Sequence, residues 1–149
     1  MGLQEKVMTE MKTAMKAKDT VALESLRAIK SAILLAQTDK GAGGTLSDED
    51  EVRLVQKLVK QRKDSAAIFT EQGRDDLAGP ELAQVSVLEQ FLPEQLTEAE
   101  IEGVVVQTID AIGATGMKDM GKVMGMVSKE LAGQADGKTI STIVKRKLT

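Results

Sequence analysis

The residues whose types and spacing most specifically suggest ligand binding are lysines interleaved with glycines in the last third of the chain. At about 100° per residue, the rotation of an α-helix, Lys118, Lys122 and Lys129 fall in one narrow sector. Gly121 and Gly125 flank this sector and leave the backbone beside it bare. Ammonium groups aligned beside bare backbone attract an anion and allow its close approach. The pattern therefore predicts an anion-binding surface and not a catalytic centre.

A second helix is expected directly after this segment, with Asp136 as its N-cap followed by Gly137. On this helix Lys138, Thr142 and Lys145 point away from the apolar side. The apolar positions are Met120, Met124, Val127 and Leu131 in the first helix and Ile140, Ile143 and Val144 in the second. The segment thus reads as two short amphipathic helices, each with one cationic outer face.

Composition favours an all-α protein of one or two small domains. Of the 149 residues 42% are hydrophobic, but Phe69 and Phe91 are the only aromatic ones, so the core is aliphatic. The chain has no cysteine and no histidine, which excludes disulfides, thiol nucleophiles, the usual zinc sites and imidazole catalysis. We expect no cofactor and no metal.

The N-terminal residues do not resemble a targeting segment. Charges interrupt the place where a signal peptide needs an apolar run, and the longest apolar stretches are too short to span a bilayer. Lys6 stands where N-myristoylation needs Ser or Thr. We therefore expect a soluble, cytoplasmic protein without a membrane partner.

Charge is distributed unevenly along the chain. The net charge of −3 argues against a general nucleic-acid binder, which is usually strongly basic, and DNA is not an expected partner. Residues 93–113 carry five acids and no base, whereas residues 116–149 carry seven bases and three acids. Such asymmetry creates a local positive field that the overall charge conceals.

Four helices are predicted before residue 93, over about 3–17, 21–37, 48–72 and 80–92. The fourth helix should begin with Pro80 at its first position and stop at Pro93. Its inward residues should be Leu82, Val85, Leu88 and Leu92. The glycine-rich segment 39–45 lacks the lysine and hydroxyl residue of a phosphate-binding loop and is expected to be a plain connection.

A domain boundary is predicted at residues 93–96, between a domain over 1–92 and a smaller one over 97–149. Thr97 and Glu100 form a capping box that begins the fifth helix, and Gly113 ends it. The fold prediction is therefore a four-helix, bundle-like domain followed by a three-helix domain.

The third helix carries a second cluster of cations, which has two interpretations. Its functional interpretation is a secondary anion patch, formed by Lys60, Arg62, Lys63 and Arg74. Its plainer interpretation is a solvated face balanced by acids one or two turns earlier, with Arg74 in a local ion pair. Ser47 and Asp50 should cap the start of this helix.

Several segments in the right order resemble the YqeY family. They are KQRKDS (60–65), GRDDLA (73–78), FLPEQL (91–96), KDMGKVM (118–124) and the closing ADGK and VK (135–138 and 144–145). The resemblance implies a helical bundle followed by a small domain similar to the tail of the GatB and GatE subunits of tRNA-dependent amidotransferases, where it helps to hold the tRNA. It places RNA backbone against Lys118, Gly121, Lys122, Gly137 and Lys138.

Three hypotheses of function follow. A plainer explanation of the lysines is that short helices commonly carry them on the outside for solubility. The first is a non-catalytic module that binds tRNA weakly, with Lys129 and Lys145 extending the surface. The second is a protein–protein adaptor for an amidotransferase or synthetase complex, with Met126 as the methionine to test. The third is an amide-transferring enzyme in which Lys122 or Ser128 would have to act without histidine, cysteine or an evident oxyanion loop.

Overall fold

Every regular element that the computed structural model describes, in residues 2–41 and 44–149, is helical, which confirms the all-α prediction. The elements are α1 Leu3–Ala17, α2 Thr20–Asp39, α3 Asp48–Glu71, α4 Asp75–Glu89, α5 Glu98–Ile112, a 3-10 turn at Met117–Asp119, α6 Met120–Glu130 and α7 Gly137–Leu148. Ala42 and Gly43 of the expected connection lie outside the described residues. Among the described helices, none combines the length and the hydropathy that a membrane span requires.

The chain divides into two compact units, Met1–Leu92 and Pro93–Thr149. That each unit is a domain in its own right stays a prediction. In the first unit, α1–α4 share one aliphatic core, and α3 and α4 pair most extensively. Its buried members are Leu3, Val7, Ala14, Leu26, Ile29, Ile33, Val55, Val59, Val85 and Leu88. They recur at three- and four-residue intervals because only one stripe of each helix faces its neighbours.

Polar side-chain caps fix where α2 and α3 begin. Asp19 accepts the backbone N–H of Ala22 at the start of α2. Ser47 and Asp50 form the expected capping box at the start of α3. The Lys40 ammonium, together with the Ser47 N–H and hydroxyl, lowers the pKa of Asp50 to about 2.

The predicted start of α4 is wrong, because the helix begins at Asp75 and Pro80 lies inside it. Asp75 and Asp76 in the first turn favour this early start, since carboxylates interact well with the positive end of the helix dipole. Ala78 is buried, so the added turn also contributes to the packed interior. The end differs as well: α4 stops at Glu89, because Pro93 has no N–H to donate to the Glu89 carbonyl four residues earlier and its ring clashes with that carbonyl in a helix.

The buried side of α4 differs from the prediction at Leu82. Ala78, Val85 and Leu88 are buried, whereas Leu82 is 50% exposed instead of inward as predicted. At about 100° per residue, Leu82 lies about 60° from Val85 and about 120° from Leu88, so it falls at the edge of their stripe.

The second unit packs α5, α6 and α7 around its own aliphatic core. The buried members are Ile101, Val105, Val123, Val127, Leu131, Ala135, Ile140, Ile143, Val144 and Leu148. The capping box of Thr97 and Glu100 is present as expected, and Gly113 ends α5 in the left-handed conformation that glycine tolerates. Met120 and Met124 pack against this core from its margin. Val123, which is fully buried, was missing from the predicted apolar side.

Replacing Leu88 by alanine should lower the free energy of unfolding by about 2–5 kcal/mol, because the side chain is fully buried and its loss leaves a cavity. The matched change in the same helix, Leu82→Ala, should cost less than about 1 kcal/mol, because half of that side chain already meets water. Urea denaturation of both variants measures the difference. Equal losses would contradict the orientation of α4.

Candidate nucleic-acid interface

The two lysines of α6 form one row on its outer side. Lys122 and Lys129 are seven residues apart, so they lie within about 20° of each other around the helix axis. Both are exposed, while Val123 and Val127 are buried on the opposite side. The hydrophobic packing of the valines therefore directs the ammonium groups to solvent.

Glycines leave open backbone beside this row. A Cβ atom placed on Gly121 or Gly125 would meet no other heavy atom within 4 Å. The glycines are thus not required by tight packing inside the unit. They leave room for a ligand to contact the backbone of α6 directly.

The sequence predicted that Lys118 would belong to this row. It does not, because it lies in the 3-10 turn Met117–Asp119 ahead of α6. A 3-10 turn rotates by about 120° per residue, so Lys118 is displaced by roughly 40° from its place on a continuous α-helix. Asp119 closes this turn by accepting the backbone N–H of Thr115 at 3.0 Å. Lys118 is exposed and adjoins the row without continuing it.

The helix α7 carries a second row in the same manner. Asp136 is its N-cap, as expected, and accepts the backbone N–H of Thr139 at 2.6 Å. Lys138 and Lys145 are seven residues apart and exposed, and Gly137 has open space where a side chain would be. The buried residues of α7 lie on the other side, so this row also points away from the core.

None of the five predicted lysines forms an ion pair within the described residues. They are Lys118, Lys122, Lys129, Lys138 and Lys145. Two of the acids in this part of the chain, Asp119 and Asp136, accept backbone N–H groups instead. The ammonium groups are therefore available to an external anion.

Glu102 of α5 removes the two remaining cations of α7 from this set. Its carboxylate pairs with the Lys147 ammonium and lies 3.3 Å from Nη2 of Arg146. These partners, Lys147 foremost, hold the pKa of Glu102 below its ordinary value. The ion pairs join α5 to the end of α7, and among the described residues they leave Lys138 and Lys145 as the lysines of α7 without an ion pair.

Comparison with known proteins assigns the chain to a family. The model for Yqey-like proteins matches residues 4–148, nearly the whole chain. The chain belongs to the Yqey-like protein family. The family resemblance predicted from the residues is thereby confirmed.

This Yqey-like protein has relatives of two kinds. The E component of the glutamyl-tRNA(Gln) amidotransferase of Thermococcus gammatolerans is 36% identical over 104 residues, 67% of this chain and 17% of that protein. The mitochondrial protein called altered inheritance of mitochondria protein 41 is 32% identical in Pyrenophora tritici-repentis, over 87% of this chain and 71% of that protein. In Saccharomyces cerevisiae it is 28% identical, over 89% of this chain and 70% of that protein. The chain thus spans less than a fifth of the amidotransferase component and most of the mitochondrial proteins.

The secondary patch of this Yqey-like protein is largely occupied by contacts within the first unit. Arg62 donates from Nε to Oε1 of Gln84 at 2.7 Å, and Lys63 lies 3.3 Å from Oε1 of Glu89. Both contacts join α3 to α4, whereas the sequence suggested balancing acids within α3 itself. Lys60 is exposed.

Arg74, the fourth residue of the patch, forms the expected local ion pair. Its Nε and Nη2 atoms donate to the two carboxylate oxygens of Asp76, each at 3.0 Å. The guanidinium lowers the pKa of Asp76 below its ordinary value. The rows on α6 and α7 are therefore the stronger candidate surface.

The residues considered for catalysis do not form a constellation. Lys122 and Ser128 are six positions apart on α6, which places them about 120° apart around the axis and about 9 Å apart along it. A nucleophile and its activating base need hydrogen-bond contact. Within the described residues, no group of three or more acidic side chains is arranged to hold a metal ion.

The role of Glu102 escaped sequence reasoning because its partners lie more than forty positions away along the chain. Gly125 is not among the predicted site residues, yet it is as open as Gly121. The signal in the sequence that could have identified Gly125 is its spacing of four residues from Gly121.

Replacing Lys147 by glutamine should raise the pKa of Glu102 towards its ordinary value, because the strongest partner of the carboxylate is lost. The matched change Lys145→Gln should leave it unaltered, since Lys145 does not contact Glu102. NMR titration of the Glu102 side-chain carboxyl measures both. Because the folded-state pKa is lowered, the pairs stabilise the fold above the ordinary pKa of Glu, and this stabilisation disappears as pH falls through the lowered value. A Glu102 pKa unmoved by Lys147→Gln would contradict this arrangement.

Proposed function

We propose that this Yqey-like protein is a non-catalytic module that binds tRNA, or a complex that carries tRNA, through the lysine rows of α6 and α7. One observation carries the proposal: both rows are exposed, unpaired within the described residues, and bordered by glycines with open space around them. Such a surface offers positive charge and lets a ligand approach the helix backbone closely. It offers no group arranged for covalent chemistry.

The relatives support tRNA as the ligand class. The segment similar to this chain forms part of an enzyme component named for glutamyl-tRNA(Gln), and the matched residues cover two thirds of this chain. The same likeness supports association with amidotransferase complexes as a further part of the proposal. A synthetase complex that carries tRNA is the other candidate partner.

The side chains determine how the RNA would be held. Lysine contacts phosphate as a mobile point charge and reads no base, so the contacts would position the RNA and recognise its shape. Residues 93–149 contain no aromatic side chain, so this unit offers no ring on which a base could stack. Binding is therefore expected to be weak and to fall steeply with salt.

Reversing the charge of Lys118, Lys122 and Lys138 to glutamate should lower the affinity for uncharged tRNA about tenfold or more at low salt, because phosphate contacts become repulsions. Fluorescence anisotropy at several salt concentrations measures the affinity and its salt dependence. Circular dichroism checks that the variant is folded.

The matched control reverses Lys6, Lys12 and Lys16, three exposed lysines of α1, and makes the same change in net charge. This control should retain most of the affinity. Unchanged tRNA binding by the first variant, or equal losses in both, would refute the proposal.

A second candidate function is a protein–protein adaptor, favoured by exposed methionines beside the same rows. Met117 is 43% and Met126 is 45% exposed, although methionine gains free energy from burial. Unbranched, polarizable methionine side chains adapt to varied partner surfaces. The candidate partner is a component of an amidotransferase or synthetase complex.

If the adaptor function holds, an amidotransferase component should copurify with the chain after nuclease treatment, and Met126→Gln should reduce its recovery several-fold. The reduction would follow from the loss of apolar contact at the interface. The control is Met8→Gln, which alters an equally exposed methionine of α1. Recovery that nuclease abolishes, or that Met126→Gln leaves intact, would exclude this function.

A further inference from the structure

Gly125 lies between the two lysines of α6. It follows Lys122 by three positions and precedes Lys129 by four, the spacings at which residues are neighbours on a helix surface. At about 100° per residue, it lies about 60° from Lys122 and about 40° from Lys129 around the helix axis. A ligand that contacts both ammonium groups therefore passes beside Gly125.

The fold of α6 does not require a glycine at this position. Gly125 lies inside the α-helix, so its backbone conformation suits any other residue that favours helices. A Cβ atom on Gly125 would meet no neighbouring helix and no side chain beyond its chain neighbours within 4 Å, so tight packing does not require glycine either. Glycine inside a helix also destabilises the folded chain relative to alanine. What this glycine provides is uncovered helix backbone beside two exposed lysines.

The backbone inside a helix offers hydrogen-bond acceptors rather than free donors. Each N–H donates to the carbonyl four residues earlier, whereas a carbonyl oxygen has two lone pairs and uses one of them in the helix. A hydroxyl beside a helix reaches such an oxygen: in α7 the Thr142 hydroxyl donates to the Lys138 carbonyl at 2.9 Å. A ligand hydroxyl that lies over Gly125 has the Gly121 carbonyl in the same relation, four residues earlier.

We propose that α6 selects RNA over DNA, because the carbonyl oxygens that Gly125 leaves uncovered accept a hydrogen bond from a 2′-hydroxyl while Lys122 and Lys129 contact phosphates. This inference rests on the proposed RNA-binding function. Phosphate oxygens are acceptors and form no hydrogen bond with a carbonyl oxygen. The 2′-hydroxyl is the donor of the RNA backbone, and DNA lacks it. The lysines thus supply affinity, and Gly125 determines which nucleic acid is bound.

The test changes Gly125 to alanine in the full chain, which places a methyl group over the uncovered carbonyls and leaves every charge in place. The ligands are an uncharged tRNA and an RNA of the same sequence with fluorine, which does not donate, in place of each 2′-hydroxyl. Loss of one hydrogen bond should lower the affinity of Gly125→Ala for tRNA about three- to tenfold. The wild type should bind the fluorinated RNA more weakly than tRNA by the same factor.

Fluorescence anisotropy measures each affinity at several salt concentrations. The affinity for the fluorinated RNA should differ by less than about twofold between Gly125→Ala and the wild type, because the hydrogen bond is already missing there. The salt dependence of tRNA binding should be the same in both proteins, since no phosphate contact is lost.

The matched control is Gly103→Ala in α5. Gly103 is also exposed, helical and open where a Cβ atom would be, but no lysine stands three or four positions from it. This control should bind tRNA as the wild type does. Both alanine variants should raise the melting temperature by about 2–4 °C, because alanine favours the helix more than glycine does. Circular dichroism measures this shift and shows that both variants fold.

Unchanged tRNA binding by Gly125→Ala would overturn the inference, and so would equal losses for tRNA and the fluorinated RNA. A loss of tRNA binding in Gly103→Ala as large as that in Gly125→Ala would also overturn it. These results are separable from failure of the proposed function. If charge reversal of the lysines leaves tRNA binding unchanged, the function fails; if binding depends on the lysines and not on Gly125, only the selection of RNA by its hydroxyl fails.

Discussion

The packing of three apolar stripes in the second unit is the constraint on which its outer surface depends. Val123 and Val127 of α6 and Ile143 and Val144 of α7 are almost fully removed from water, and α5 contributes Val105. Burying each such side chain favours folding by about 1.5–3 kcal/mol, so neither helix can rotate about its axis without a large loss. The rotation that buries these residues is the one that exposes the lysine rows. The candidate interface is thus a consequence of core formation.

Ion pairing divides the cations of this unit into those that bind Glu102 and those on the outer rows. Glu102 binds Arg146 and Lys147 and so contributes to joining α5 with the end of α7. Exposed ion pairs of this kind contribute little stability, but they decide which charges meet a ligand. The lysines on the outer rows have no such partner within the described residues. An acidic chain of net charge −3 therefore presents a local positive surface.

Local sequence patterns predicted much of the helical structure. The first helix, the capping boxes at Ser47 and Thr97 and the cap at Asp136 are found as expected, because periodicity and capping are short-range properties. The start of α4 was misjudged because Pro80 is tolerated inside a helix when acidic first-turn residues and a buried Ala78 favour an earlier start. The displacement of Lys118 arises from a 3-10 turn that a uniform rotation per residue does not represent.

By itself the sequence determined the helical class, the apolar side of most helices and the lysines that would lie opposite, because an amphipathic stripe needs no knowledge of its neighbours. Only the tertiary structure decided which charges are satisfied. The pairing of Glu102 with Lys147 joins residues far apart in sequence, and so does the contact of Arg62 with Gln84. Such contacts depend on which helices pack together and at what rotation. Local periodicity determines on which side of its helix a residue lies, but the packing of the folded chain determines which partner that side contacts.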